Sequence, residues 1–296
     1  MIAPRRFLPS VSSLLALEAV ERLGTATAAA EELALTHSAV SRQLKALEEQ
    51  IGVPLFRREG KGLALTPVGA DYAASIRDYL QDLARASLRI RAAGSRSSLT
   101  LSVLPAFGTH WLLPRLQGFA QLHPEITVNL ATRLSPFDFT REKFDAAIHF
   151  GGRDWQGVKY LPLAREQVIP AASPKLVPQG QITPERLLTL PLLHLESRPG
   201  AWEDWFARHG CEAEHLRGML FDQFSQMAEA AALGFGVALL PRFLAEAEFR
   251  SGRLHPLSDS HTEVDGRYFV VWPQFRNASK PLQKFLHWLG SEAEPT

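Results

Sequence analysis

Residues 29–58 read AAEELALTHSAVSRQLKALEEQIGVPLFRR, and this stretch decides the reading of the first domain. Val40, Leu44, Leu47 and Ile51 recur at steps of four, three and four, which places one apolar stripe along a helix. Ser38, Ser41, Arg42 and Lys45 fall on another face, free of large apolar groups. Hydroxyls and long cations there suit base edges and phosphates. Thr36 is a good N-cap for this helix, with His37 beside it, and Gly52 ends it. Ala29 and Ala30 are small enough for the preceding short helix to cross closely. Downstream, Phe56-Arg57-Arg58 and Ala64-Leu65-Thr66 are short extended runs around the tip Glu59-Gly60-Lys61-Gly62. A helix-turn-helix followed by such a hairpin is a winged helix-turn-helix, with Arg57, Arg58 and Lys61 placed to meet phosphates of double-stranded DNA. The competing reading is a helical hairpin with a solvated charged face.

Ala29, Ala30, Leu33, Thr36, Ala39, Ser41, Leu47, Glu48, Gly52, Leu55, Phe56 and Arg58 follow a known register, continued by Leu65-Thr66-Pro67 and Gly69. In this pattern the chain resembles the LysR-type transcriptional regulators. It departs at His37, where glutamine is commoner, and at Ala26, where a phenylalanine often packs the second helix. An imidazole offers hydrogen bonds in a different pattern from an amide, so base preference at His37 does not carry over. The resemblance implies operator DNA and a small-molecule effector as partners, with RNA polymerase a further candidate. It also implies tetramers, DNA bending, activation and autorepression.

Thr66-Pro67 begins the next helix, which the pattern extends to about Ala93. Tyr72, Ile76, Tyr79, Leu83, Ala86 and Ile90 alternate at four and three, the spacing of a coiled-coil seam. The seam packs either on the chain's own body or on a second copy, and the resemblance favours a homodimer joined by this linker helix. Gly94-Ser95-Arg96-Ser97-Ser98 then reads as a flexible joint.

From Leu99 onward strands and helices alternate, which implies an α/β architecture. Expected strands are Leu99–Leu104, Ile126–Leu130, Ala146–Phe150, Gln167–Ala172, Leu192–Leu195, Val237–Leu240 and Tyr268–Trp272. Helices are expected near Trp111–Leu122, Pro184–Leu190, Ala201–His209, Gln226–Leu233, Pro241–Ser251 and Lys280–Leu289. The resemblance implies a two-lobed effector domain like a periplasmic binding protein. The expected division is a DNA-binding domain over 8–66, a linker helix and hinge over 67–95, and an effector-binding domain over 96–296. Lobe one would take about 96–165 and 267–296, and lobe two about 166–266.

Open α/β sheets bind ligands beyond the carboxyl ends of their strands, which points to the cleft between the lobes. The loop Pro105-Ala106-Phe107-Gly108-Thr109 precedes a helix, whose free amides favour an anion. Thr132 and Ser135 follow the second strand and Phe150 ends the third. Arg198, Asp222, Phe224 and Ser225 would face them from lobe two. Ser225 reads also as an N-cap, Arg198 as a solvated loop charge, and Trp202 with Trp205 as packing residues. Facing helix starts, with Asp222 to hold an ammonium, point to a small carboxylate such as an amino acid. Phe107, Phe137, Phe150 and Phe224 leave open an apolar or aromatic ligand, and the lobes serving only assembly is a third reading.

Leu104-Pro105-Ala106-Phe107 and His110-Trp111-Leu112-Leu113-Pro114-Arg115-Leu116 narrow the resemblance to the glycine-cleavage-regulator-like branch. Asp145-Ala146-Ala147-Ile148 and Gly152-Arg153-Asp154-Trp155-Gln156-Gly157 extend it. Other classes fit poorly. Nucleotide-binding glycine motifs, a Gly-x-Ser-x-Gly elbow and a His-Glu-x-x-His pair are absent, and the 10 histidines show no metal-ligand spacing. An enzyme, or a two-lobed binding protein without a DNA role, is the alternative; no cofactor is expected. A single cysteine, Cys211, excludes an internal disulfide and reads as a structural or surface thiol. Net charge is +1 overall, but residues 1–98 hold 13 Lys+Arg against 10 Asp+Glu, as suits a small DNA-binding head. With no run of roughly 18–20 apolar residues and no signal-peptide core, a cytoplasmic protein is expected.

Overall fold

A computed structural model describes residues 3–4, 7–59, 62–93, 97–178, 180–213, 215–259, 261–275 and 277–293. It divides into two compact units, Met1–Gly94 and Ser95–Thr296. The first unit opens with three helices, α1 (Val11–Leu23), α2 (Ala26–Glu32) and α3 (His37–Ile51). Each begins where a hydroxyl can take up a free amide. Ser10, Thr25 and Thr36 accept from the amides of Ser13, Ala28 and Ala39 at 3.1, 3.2 and 3.2 Å. The predicted stop at Gly52 is met, with φ +75° in the left-handed region. Val40, Leu44 and Leu47 are buried against Leu17, Val20, Ala29 and Ala30, the small residues admitting the close crossing.

The wing is the antiparallel pair β1 (Phe56–Glu59) and β2 (Gly62–Leu65), with Phe56 opposite Leu65. Glu48 ties α3 to it, accepting the amides of Leu55 and Phe56 at 2.7 and 3.0 Å. The next helix, α4 (Pro67–Ala93), then packs so closely that a Cβ on Gly69 would lie 2.1 Å from the Leu55 carbonyl oxygen. Only glycine fits there. Arg77 pairs with Glu18 at 3.3 Å and with Glu21, holding α4 on α1. Along the predicted seam, Ile76 is buried in this unit, whereas Tyr79, Leu83 and Ile90 are 70%, 51% and 72% exposed.

The second unit runs β3 (Ser97–Val103), α5 (Pro105–Phe107), a π-helical turn (Gly108–Leu112), α6 (Leu113–Leu122), β4 (Ile126–Thr132) and β5 (Ala146–Gly151). It continues with β6 (Val158–Ala172), α7 (Pro184–Leu187), β7 (Leu192–Leu195), α8 (Ala201–Arg208), β8 (Leu220–Phe221) and α9 (Phe224–Leu233). The last elements are β9 (Val237–Pro241), α10 (Arg242–Arg250), β10 (His255–Pro256), β11 (Thr262–Pro273) and α11 (Lys280–Glu292). Among the described residues they form one mixed sheet in the order β4-β3-β5-β11-β6-β9-β7-β8, with β10 on β6. Parallel β4-β3-β5 serve lobe one and parallel β9-β7-β8 serve lobe two.

The expected α/β alternation holds, but β8 and β10 are strands beyond those expected. Ser97 and Ser98, expected in a flexible joint, already belong to β3, while residues 94–96 of that joint lie outside the described residues. Three boundaries also differ. The helix expected from Trp111 already begins at Pro105 and reaches Leu122 through the π turn. The strand expected from Gln167 begins at Val158, and that expected from Tyr268 begins at Thr262. These two long strands pair antiparallel and pass through both lobes, so the boundary drawn at 165/166 falls inside β6. At about 3.3 Å per residue, the 15 residues of β6 reach about 50 Å, longer than one lobe needs. Lobe one is centred on Leu101, Phe107, Phe119, Ile148, Val270 and Phe285. Lobe two holds Leu193, Ala231, Leu240 and Leu244 on one side of its sheet, and Trp202, Phe206 and Leu187 on the other.

Candidate nucleic-acid interface and ligand cleft

The cap and the first three turns of α3 set the polar face. Thr36, His37, Ser38, Ser41, Arg42 and Lys45 are all exposed, while the apolar stripe of the same helix is buried. The Thr36 and Ser38 hydroxyls lie 3.1 Å apart, so the turn into α3 presents two hydroxyls together. Lys45 meets Glu49 at 3.7 Å, one turn on, a weak exposed pair that DNA phosphate would readily replace. Arg57 is exposed on β1. The Arg58 side chain and Lys61 lie outside the described residues. This surface is the exposed polar face of a helix, with an exposed arginine on the strand that follows it, and it offers donors to base edges and phosphates.

In the second unit a cavity of about 170 Å³ lies between the lobes. Pro105, Ala106 and Phe107 reach it from the start of α5, and Gln223 and Phe224 from the start of α9. Neither helix start receives a side-chain cap. Amides there remain to be met by water or ligand.

The wall is aromatic. Phe107 stacks on Tyr268 with ring centres 4.1 Å apart, and Phe150 lies 4.9 Å from Tyr268. Phe137 and Trp155 form a second aromatic corner, fixed by the Trp155 indole donating to the Phe137 carbonyl at 3.1 Å.

Beneath this wall sits a buried polar triad. Glu166 is 1% exposed, accepts from Arg198 Nε at 3.0 Å, and accepts a hydrogen bond from the Tyr268 hydroxyl on its other oxygen. Burial drives the Tyr268 hydroxyl well above its ordinary range, and the Glu166 carboxylate adds to that, so it stays a donor. Burial alone would lower the Arg198 pKa, but Glu166 outweighs it and the net shift is upward. The guanidinium lies 3.6 Å over the Phe150 ring, which joins lobe two to lobe one.

Of the residues named from sequence, Pro105, Ala106, Phe107, Ser135, Phe150, Arg198, Asp222 and Phe224 line the cavity together. Gly108 is buried against Val103, Thr109 is exposed on the second turn, and Thr132 is exposed at the end of β4. Ser225 lines a separate shallow depression with Met219, Leu233 and Phe235. It is not the N-cap of α9 either, since Gln223 holds that position. Arg198 is no solvated charge: its side chain is 19% exposed and paired. Trp202 and Trp205 are buried in lobe two, as packing residues should be.

Sequence reasoning missed Glu166 and Tyr268 as partners. The available signal was the alternation Ala164, Glu166, Val168, which puts a carboxylate on an inward-facing row once the strand is started early enough.

Residues 11–70 match the family described as bacterial regulatory helix-turn-helix protein, lysR family, and residues 92–294 match the LysR substrate binding domain. The chain is 37% identical to the HTH-type transcriptional regulator TrpI of Pseudomonas aeruginosa, over 96% of this chain and 97% of that protein. It is 33% identical to the glycine cleavage system transcriptional activator of Escherichia coli, over 97% and 94%. Among solved structures, the effector domain of AmpR of Pseudomonas aeruginosa superposes with a TM-score of 0.61 at 31% identity, covering 66% of this chain and 95% of that one. Full-length CbnR, solved with its target DNA, shares the fold with a TM-score of 0.69 at 19% identity over 95% of this chain and 99% of that one.

Proposed function

This chain belongs to the LysR family of transcriptional regulators, and from that premise we propose that α3 reads the operator and that a small carboxylate in the cleft controls the response. Ser38, Ser41 and Arg42 reach base edges in the major groove, with His37 at the start of the helix. Thr36, Lys45, Arg57, Arg58 and Lys61 meet phosphates. The observation that carries this reading is the split of α3 into a buried apolar stripe and an exposed face of hydroxyls and cations.

Arg42→Ala is expected to weaken operator binding by about 1–3 kcal/mol while leaving random-sequence binding nearly unchanged, as loss of a base contact would. Arg57→Ala should weaken both alike and lower the salt slope by about one. Titrations of operator and random duplexes at several salt concentrations check this. Equal, unchanged affinities in both folded variants would remove these residues from the interface.

Two chains pair through the exposed seam of α4, and pairs of dimers make a tetramer. RNA polymerase is the further partner of the DNA-bound form, and the cytoplasm is the place of work. No helix of the described residues is long and apolar enough to cross a membrane.

For the effector, the supporting observation is the pair of uncapped helix starts opening on one cavity. Both present amides and the positive end of a helix dipole, which suits one carboxylate. Asp222, also on the lining, suits an ammonium group, so an amino acid with an apolar side chain matches the aromatic walls best. One relative is named for the glycine cleavage system, in keeping with an amino-acid signal.

A thermal-shift series of amino acids, organic acids and neutral aromatics on the full chain tests it. Amino acids should stabilise the effector unit saturably, and Asp222→Asn should weaken them without weakening simple organic acids. Stabilisation by neutral aromatics alone would reject the carboxylate reading.

A further inference from the structure

A second cavity, of about 190 Å³, adjoins the cleft within lobe two. It lies under α8 and beside β11, and Arg198 and Phe224 form a wall common to both cavities. Its lining is mostly apolar and aromatic, with Trp202, Trp205, Met227 and Leu239 among the contributing side chains. All four are buried, at 5% exposure or less, so the floor of the pocket belongs to the folded core, while Asp204 and Asp265 stand exposed at its rim. Well-packed interiors keep few such spaces. An engineered apolar cavity of about 150 Å³ takes up benzene. This one is slightly larger, which sets the size of an occupant at one substituted ring.

Charge decides the rest. Glu166 is matched by Arg198, and Arg208 by Asp265 at 3.1 Å on the rim. Asp204 adds a third carboxylate to the lining, so no cation is left over for an anionic ligand among these groups. Two polar atoms of lining residues, Trp205 Nε1 and His194 Nε2, are buried without a hydrogen-bond partner among the described residues. Such groups are costly until satisfied, and a hydroxyl or carbonyl oxygen can satisfy an indole N–H after a small side-chain movement.

We infer that lobe two carries a second ligand site, separate from the cleft, for a neutral single-ring aromatic bearing a hydroxyl or carbonyl oxygen.

The test is fluorine NMR of the full chain labelled with 5-fluorotryptophan, which gives one reporter at each of the six tryptophans. Trp202 and Trp205 report the second cavity, and Trp155 reports the cleft. Trp→Phe variants assign the signals. With p-cresol or acetophenone as probe, the Trp202 and Trp205 signals should shift saturably at roughly millimolar concentration, as expected for ligands of this size. Trp155 should stay in place.

Val264→Phe, on the lining, should fill the space and abolish the shift while the unbound spectrum remains folded. Benzoate should bind at least tenfold more weakly than acetophenone. Signals of Trp202 and Trp205 that do not move with either neutral probe would overturn the inference, as would an undiminished shift in folded Val264→Phe. Benzoate binding as well as acetophenone would overturn the assignment of a neutral ligand. Movement of Trp155 alone would mean that the probes enter only the cleft, and it would overturn the inference in the same way.

Discussion

Leu83→Asp is expected to break the assembled protein into single chains and, with that, to remove tight operator binding. Leu83 lies at the middle of the α4 seam and is 51% exposed in the isolated chain, flanked by Tyr79 and Ile90 at 70% and 72%. A long helix with such a stripe is unstable alone in water, and pairing two stripes removes both from solvent. An aspartate there would be buried at a two-fold interface without a partner. Each copy then carries a desolvation penalty on the order of several kcal/mol, enough to weaken pairing at least about 100-fold. A dimer on two half-sites also gains a factor on the order of 10²–10⁴ from effective concentration, which single chains forfeit. Sedimentation at low micromolar concentration and operator titration measure the two effects. Unchanged mass would mean that this seam is not the interface.

Arg198→Met is expected to destabilise the effector unit strongly. It strands Glu166, 1% exposed, with only the Tyr268 hydroxyl for company. Removing one partner of a buried ion pair typically costs about 3–5 kcal/mol. For a unit of this size that lowers the melting temperature by roughly 10 °C. The double variant Glu166→Gln with Arg198→Met removes the stranded charge and should recover most of the loss. Calorimetry of the full chain would follow the effector transition. A single variant as stable as the parent would show that Glu166 finds solvent after all.

What the sequence made legible follows from the range of the interactions involved. The apolar stripe of α3, its Thr36 cap and its Gly52 stop are all local, and each could be read from spacing. The start of β6 could not, because Leu161-Pro162-Leu163 breaks the alternation that marks a strand and Pro162 reads as a strand breaker. That missed start also hid Glu166 on its inward-facing row. Its partner Tyr268 is 102 residues away, a pairing set by the antiparallel passage of β6 and β11 and by no local signal.

The same error of boundary moved two candidate residues. With the helix expected from Trp111, Thr109 stands at its start; with the helix beginning at Pro105, it is on the outer side of the second turn. Ser225, expected as cap or ligand contact, is the second residue of α9 and turns away from the cleft lining. The aromatic and helix-start residues were legible because they follow strand ends directly, where the α/β topology gathers them.

The most direct measurement is selection of bound duplexes from a random-sequence pool by the full chain, followed by sequencing of what is retained. Recovered duplexes should share two related half-sites in two-fold symmetry, their centres separated by about one helical turn or a multiple of it. Repeating the selection with Arg42→Ala should blur specific base positions within each half-site while leaving the spacing intact. A pool that stays random after several rounds, from folded and dimeric protein, would contradict sequence-specific reading by α3.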